Sequence, residues 1–428
     1  MSTFSRRQFL KLTGTLSALS ALGALGYSPS AGAAKGAKVV VIGGGFGGAT
    51  CAKYLRRGDP SLSVTLIEPS TRFITCPFSN YYLGGFLSME SITHGYDILH
   101  KKHGVAVMQD TVTAIDPAGK KVKLKSGTTL PYDRLVVSPG IDFKWNAIEG
   151  YNEAATDVMP HAWKAGPQTV LLRKKLEGMR DGGLFVIVAP PNPFRCPPGP
   201  YERASAVAHY FKAHKPKSKI LILDAKDDFS KKGLFMDAWA KLYPGMIEWV
   251  PGAKGGVVKS VDTKKMIVDA FDKHKAAVVN VIPAQTAGAI AMKSGLADDS
   301  GWCPVDPKTF ESKLHPGIHV IGDSSIAGAL PKSGFAANSE AKICAAAIVA
   351  MLKGQGVSDA SYVNTCYSLI APKYGISVVG VYRVSDKGIV QIEGSGGVSP
   401  KDAPAGFREE EAKYAYGWYD SIAADTWG

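Results

Sequence analysis

Between Lys38 and Glu68 the chain commits itself to one kind of architecture. Lys38-Val39-Val40-Val41-Ile42 is a run of β-branched residues with no polar break, the pattern of a strand buried on both faces. Gly43-Gly44-Gly45-Phe46-Gly47-Gly48 follows without a linker. Gly43, Gly45 and Gly48 keep the G-x-G-x-x-G spacing. In that spacing the first glycine makes a tight turn, the second admits a pyrophosphate against the backbone, and the third lets helix and strand pack closely. Ala52 and Leu55 then fall at helical spacing on the side that must face the sheet. A second strand, Ser63-Val64-Thr65-Leu66-Ile67, ends at Glu68, twenty residues beyond Gly48, where a carboxylate accepts hydrogen bonds from an adenosine ribose. Strand, glycines, helix and acid in this order predict a βαβ unit with a dinucleotide held at Gly43, Gly45, Phe46, Gly48 and Glu68.

The first residues carry an address. Ser5-Arg6-Arg7-Gln8-Phe9-Leu10-Lys11 precedes a weakly apolar run from Leu12 to Gly26, and Ala31-Gly32-Ala33 supplies a cleavage site, so residues 1–34 read as a signal peptide. Paired arginines followed by Phe-Leu-Lys resemble a twin-arginine export signal. That route carries folded proteins, often with a cofactor already in place, so the mature chain is expected in the periplasm. No later run approaches the ~18 apolar residues needed to cross a bilayer, and no membrane insertion is expected. The net charge of +13 falls to +10 without Arg6, Arg7 and Lys11, an excess that suits an acidic partner or a solvated cationic surface. No stripe of basic and aromatic residues points to nucleic acid.

Thr71 to Asn80 is rich in turn formers and reads as a loop beside the cofactor. Tyr132 to Gly140 is a strand running into a tight turn, and Gly317-Ile318-His319-Val320-Ile321-Gly322-Asp323 repeats that pattern. Both segments are similar to segments of two-dinucleotide-domain flavoproteins, a resemblance that implies FAD, not NAD, with Asp323 on its ribityl chain. Between them lies a second βαβ pattern: Leu184 to Val188, a helix from Tyr201 to His214, and Lys219 to Leu223 ending in Asp224. Its turn, Ala189 to Pro200, is filled with prolines, which lack the N–H groups that cradle a pyrophosphate. Loss of NAD(P)H binding is therefore expected here. From about Asp359 the nucleotide-fold pattern stops. Ile376 to Tyr382 is a strand with which Gly388 to Ile392 can pair, and the aromatic tail Tyr414 to Tyr419 reads either as a capping helix or as a cover over the flavin.

Of six cysteines, Cys51 and Cys344 sit in apolar helical runs and read as small buried residues, while Cys303 is undecided. Cys76 stands in the loop after the ribose-binding strand, Cys196 replaces a phosphate loop, and Cys366 stands in the polar stretch Asn364-Thr365-Cys366-Tyr367-Ser368, read as a turn. At these residues, and at runs such as Pro160 to Gly166, Phe194 to Ala204 and Pro331 to Gly334, the chain resembles the flavoprotein subunit of flavocytochrome c sulfide dehydrogenase, of the FAD/NAD-linked disulfide reductase superfamily. The resemblance covers essentially the whole mature chain. It implies an α/β fold of two Rossmann-like dinucleotide-binding domains, glutathione-reductase-like, plus a smaller C-terminal α+β domain. The expected division is an FAD-binding domain at 35–150 and 283–358, a second Rossmann-like domain without the NAD fingerprint at 151–282, and a C-terminal domain at 359–428.

The same resemblance implies FAD covalently held by Cys76, a redox-active disulfide between Cys196 and Cys366, and Glu202 and Trp418 close to it. Glu202 reads either as the proton acceptor for incoming sulfide or as an ordinary first-turn carboxylate. The chain has no C-x-x-C-H, so the c-type haem is expected on a separate cytochrome subunit. The chemistry fits these residues: hydrosulfide is a soft nucleophile that opens a disulfide by exchange. The expected activity is sulfide–cytochrome-c reduction, with sulfide oxidised to zero-valent sulfur or polysulfide. A sulfide:quinone reductase or a flavin-bearing relay subunit without a substrate of its own are the alternatives.

Overall fold

The computed structural model describes residues 36–428; the export signal read at 1–34 lies outside the described residues. Lys38–Ile42 is the middle strand of a five-stranded parallel sheet, flanked by Ser63–Ile67 and Arg134–Val137, with Ala106–Met108 and Ile318–Val320 at the two edges. Val39, Val41, Leu66, Leu135 and Val136 are fully buried, as a strand covered on both faces requires. The helix Phe46–Gly58 seats Ala52 and Leu55 in the core and packs along a long helix, Gly334–Leu352. Two glycines make this start possible. Gly43 has φ +97°, and a Cβ there would lie 2.3 Å from Ser138 O; a Cβ on Gly48 would lie 1.9 Å from Gly43 O.

A second parallel sheet orders Ile247–Val250, Lys219–Asp224, Leu184–Ala189 and Val278–Val281. Its helix, Gly199–His214, is buried on nearly all sides over its first half, because the first domain covers it from one face and the C-terminal sheet from another. That third sheet is antiparallel, Ser361–Ala371, Tyr374–Ser385 and Gly388–Gln391, and the helix Ala405–Trp427 lies across it.

Three local expectations are corrected. Arg72–Ile74 within the expected loop is a strand paired with Thr93–Gly95, and a helix begins at Ser79, which confines Cys76 to the short turn between them. Cys366 is not in a turn but in the middle of the strand Ser361–Ala371, opposite Val378. The polarity around it misleads because Asn364 and Ser368 are buried with partners: Ser333 Oγ donates to Asn364 Oδ1 at 2.6 Å, and Ser368 donates to Glu202. Finally, Gly334–Leu352 is long and apolar enough by composition to cross a membrane, contrary to the reading that no such run follows the signal. It is a core helix, more than half buried, and carries buried Asn338 and Glu340.

Candidate active site

Two cavities meet at the junction of the three sheets. The larger, of about 760 Å³, runs from the glycine turn past Glu68 to Cys76, Arg195 and Asp323. Gly43, Gly45, Phe46, Glu68, Cys76 and Asp323 all line it, whereas Gly48 is turned into the packing against Gly43. Glu68 is held by backbone N–H groups, accepting from Gly44 at 2.8 Å and Ser70 at 3.0 Å.

The far end of this cavity is built for a polar ligand. Asp323 Oδ1 and Arg195 Nε are buried on its wall without a protein partner, although Arg195 Nη1 lies 3.8 Å from the other Asp323 oxygen. Leaving such groups unpaired costs about 1–3 kcal/mol each, which a hydrogen-bonding occupant recovers. Burial raises the Asp323 carboxyl above its ordinary range against the opposing charges of Arg195 and Lys332. Length, the glycine turn at a helix N-terminus, a ribose acid at one end and unpaired polar groups at the other together fit FAD.

The smaller cavity, about 40 Å³, has space for a few water-sized molecules. Cys196, Cys366, Glu202 and Trp418 line it, and Cys76, Pro77, Arg195 and Gly334 form a wall common to both cavities. Each sulfur arrives from a different element. Cys76 comes from its turn and Cys366 from the third sheet. Cys196 comes from the proline-rich turn, where it takes φ +60° and is fixed by its N–H on Lys332 O and its carbonyl on Gly199 N–H, both 2.8 Å. Such a left-handed conformation in a residue with a side chain is strained and persists because the surroundings impose it.

The expected bridge between Cys196 and Cys366 is not formed: all six cysteines are free thiols in the structure. Cys76 is paired electrostatically with Cys196: its thiol is lowered to about 7 by that neighbour and by the charges of Arg195 and Arg203, against burial and the charge of Asp323. The Cys196 thiol is pushed up by the same pairing with Cys76, by burial and by the charge of Glu202. Burial raises Cys366 to about 11, moderated by Lys231. Cys303 is buried in the short strand pairing Cys303–Pro304 with Ser325–Ile326, its thiol raised to about 12, away from both cavities' walls.

Several residues at this site gave no sequence signal. Arg203 is fully buried and donates to Asn80 Oδ1, Asn280 Oδ1 and the carbonyls of His161 and Ala162. Asn80 in turn donates to Glu202 Oε2 at 3.2 Å. The aromatic segment Tyr414 to Tyr419 lies within the helix Ala405–Trp427, packed on the domain. Trp418 lines the small cavity, not the larger one, stacked on Phe335 and Phe78, while Trp427 stacks on Phe73 and donates from Nε1 to Gly44 O at 3.1 Å, closing over the glycine turn.

Comparison with known proteins agrees with this geometry. Residues 37–168 match the family model of pyridine nucleotide-disulphide oxidoreductases, the class that the two parallel sheets and the flavin cavity define. Residues 169–283 match the central region of the sulfide dehydrogenase (flavocytochrome c) flavoprotein chain, and residues 358–427 match the flavin-binding region of flavocytochrome c sulphide dehydrogenase. A 43-residue stretch is 74% identical to the sulfide dehydrogenase (flavocytochrome c) flavoprotein chain of Chlorobaculum thiosulfatiphilum, covering 10% of this chain and 90% of that one. The chain belongs to the family of flavocytochrome c sulfide dehydrogenase flavoprotein chains. It is also similar to the mitochondrial sulfide:quinone oxidoreductase of Mus musculus, 24% identical over 67% of this chain and 65% of the length of that protein. Among solved structures, the sulfide:quinone oxidoreductase of Aquifex aeolicus superposes with TM-score 0.70 at 18% identity, covering 91% of this chain and 92% of that one.

Proposed function

We propose that this chain is a periplasmic sulfide dehydrogenase flavoprotein that oxidises hydrosulfide to zero-valent sulfur or polysulfide and passes the electrons to a c-type cytochrome on a separate subunit. The observation that carries this reading is the convergence of Cys196, Cys366 and Glu202 on one small cavity whose wall, at Cys76 and Arg195, is also the wall of the flavin cavity. In the oxidised enzyme Cys196 and Cys366 are bridged. Hydrosulfide opens the bridge: the S–S bond breaks, a new S–S bond forms to the attacked cysteine, the other cysteine leaves as thiolate, and the S–H proton passes to Glu202. Cys76, the most acidic of the three thiols, is the residue that attaches the cofactor. Bound FAD supplies the step from electron pairs to single electrons that a haem requires. Glu68, Arg195 and Asp323 would hold it, beneath the Trp427 ring that closes over the glycine turn.

A second acceptor, quinone, is favoured by the likeness to sulfide:quinone oxidoreductases. The acidic run Glu409-Glu410-Glu411 speaks against a membrane-facing tail, though Glu411 is buried in an ion pair with Arg408 and only the other two acids oppose docking on lipid. The deciding experiment is anaerobic sulfide addition to the native protein, with its co-purifying subunits identified. Loss of the oxidised flavin absorbance followed by reduction of an associated cytochrome is expected; unchanged absorbance would leave only a relay subunit.

A further inference from the structure

Behind Glu202 the structure holds a charge that no motif announces. Lys231 stands at φ +63° immediately before the helix Lys232–Leu242, and its side chain is buried. Its Nζ donates to Ser368 Oγ at 2.6 Å, and Ser368 Oγ donates to Glu202 Oε1. The other oxygen, Glu202 Oε2, is held by Asn80 Nδ2, which Arg203 orients. Glu202 is thus gripped from two sides by two cations acting through neutral side chains, and both bridging groups are buried. A buried lysine that only packed would cost more than it contributes, so an ammonium whose partners are one hydroxyl and the Phe235 ring, 5.9 Å away, beside a carboxylate, is a charge in use.

We propose that Lys231 is a positioning residue of the sulfide-oxidising site: through Ser368 it fixes the Glu202 carboxylate at the small cavity, and its charge compensates the anion that forms on Cys366 when the bridge opens. This rests on the function proposed above. Once Glu202 has taken the S–H proton, Cys366 carries a negative sulfur whichever cysteine is attacked, as thiolate if it leaves and as persulfide if it is the target. The groups that face Cys366 with charge are Lys231, from the turn before the Lys232–Leu242 helix, and Glu202, from the Gly199–His214 helix; they act in opposite senses on it. On the other flank of the cavity Arg195 and Arg203 face Cys76, and Tyr81 from the Ser79–Gly84 helix faces Glu202. The acids of the C-terminal helix are turned elsewhere, Glu411 being spent on Ser377, Ser399 and Arg408. Lys231 is therefore the one cation acting on the Cys366 side among the described residues.

The test uses flavin-loaded enzyme reduced anaerobically with dithiothreitol and freed of it, then exposed to iodoacetamide at pH 9, with alkylation of the Cys366 peptide followed by mass spectrometry. Lys231→Met is expected to slow that alkylation about tenfold, and Lys231→Arg to restore it, since an opposite charge beside a thiol moves its ionisation by about one unit. Ser368→Ala keeps Lys231 and should leave the alkylation rate near the wild-type value while slowing sulfide-driven flavin reduction, because the hydroxyl that holds Glu202 Oε1 is gone. An unchanged Cys366 rate in a flavin-loaded Lys231→Met protein overturns the proposal, and Lys231→Gln serves in its place if the methionine variant does not hold flavin. If the alkylation rate shifts but wild-type flavin is not reduced by sulfide, the functional reading fails and the electrostatic role of Lys231 stands.

Discussion

Tyr201 donates its phenolic hydroxyl to the carboxylate of Asp224 at 2.5 Å. Asp224 ends the second strand of the second parallel sheet, the position that Glu68 fills in the first, so it stands where a nucleotide ribose would be read. It also accepts from Trp249 Nε1 at 2.9 Å and Lys226 Nζ at 2.6 Å, and Tyr201 is stacked on Phe229 with ring centroids 3.5 Å apart. The acid is fully buried and its lone pairs are taken by the chain itself. NADH and NADPH are accordingly expected not to reduce the flavin. Anaerobic titration monitored by flavin absorbance checks this, and rapid bleaching by NADH without sulfide would show that the second domain still takes a nicotinamide.

Cys196 and Cys366 should be found as a disulfide in the oxidised native protein. They line one cavity, to which the proline-rich turn and the strand Ser361–Ala371 each bring one sulfur. Closing a loop of about 170 residues in the unfolded chain stabilises the fold by roughly 5 kcal/mol on the chain-entropy model, so the oxidised form should also melt higher. Thiol counting on denatured, unreduced protein is expected to find the pair blocked, and Cys196→Ser or Cys366→Ser to abolish flavin reduction by sulfide with the flavin retained. A Cys196→Ser enzyme with near-normal turnover would sink the mechanism.

Flavin should remain on the polypeptide after acid precipitation of the wild type and be released from Cys76→Ser. The reason is the place of Cys76 on the wall of the larger cavity, where the charges of Arg195 and Arg203 favour its thiolate. A colourless wild-type pellet would refute attachment.

Much of the first domain could be read from the sequence because its signals are local: glycine spacing, β-branched runs and an acid at fixed distance are properties of neighbouring residues. The second cavity is different. Cys366 looked like a turn residue because Asn364 and Ser368 are polar, and their polarity makes sense only against Ser333 and Glu202, which lie 31 and 166 residues away. Arg203 and Lys231 were invisible for the same reason: their partners come from four separate segments, and no spacing rule connects them. Trp427, which no motif marks, is the tail residue that touches the glycine turn.

Glu340 makes stability fall as pH rises. It is buried on the Gly334–Leu352 helix, accepts from Gly322 N–H at 2.6 Å beside Asp323, and burial raises its carboxyl from 4.5 to about 7 despite that bond and the charge of Lys332. The folded protein therefore binds this proton more tightly than the unfolded chain does between about pH 4.5 and 7. Where the folded state holds more protons, unfolding free energy decreases with pH, so the protonated acid favours folding below the window and the ionised one is a burden above it. The full shift corresponds to at most about 3 kcal/mol, and relaxation around the site would reduce it. Glu340→Gln keeps the shape and an acceptor for Gly322 N–H but cannot ionise. Comparing its denaturant-unfolding midpoint with that of the wild type at pH 5 and pH 8 cancels every other titrating group. The variant is expected to gain about 1–3 kcal/mol relative to the wild type on going from pH 5 to pH 8, and an equal difference at both pH values would show that Glu340 does not titrate between them.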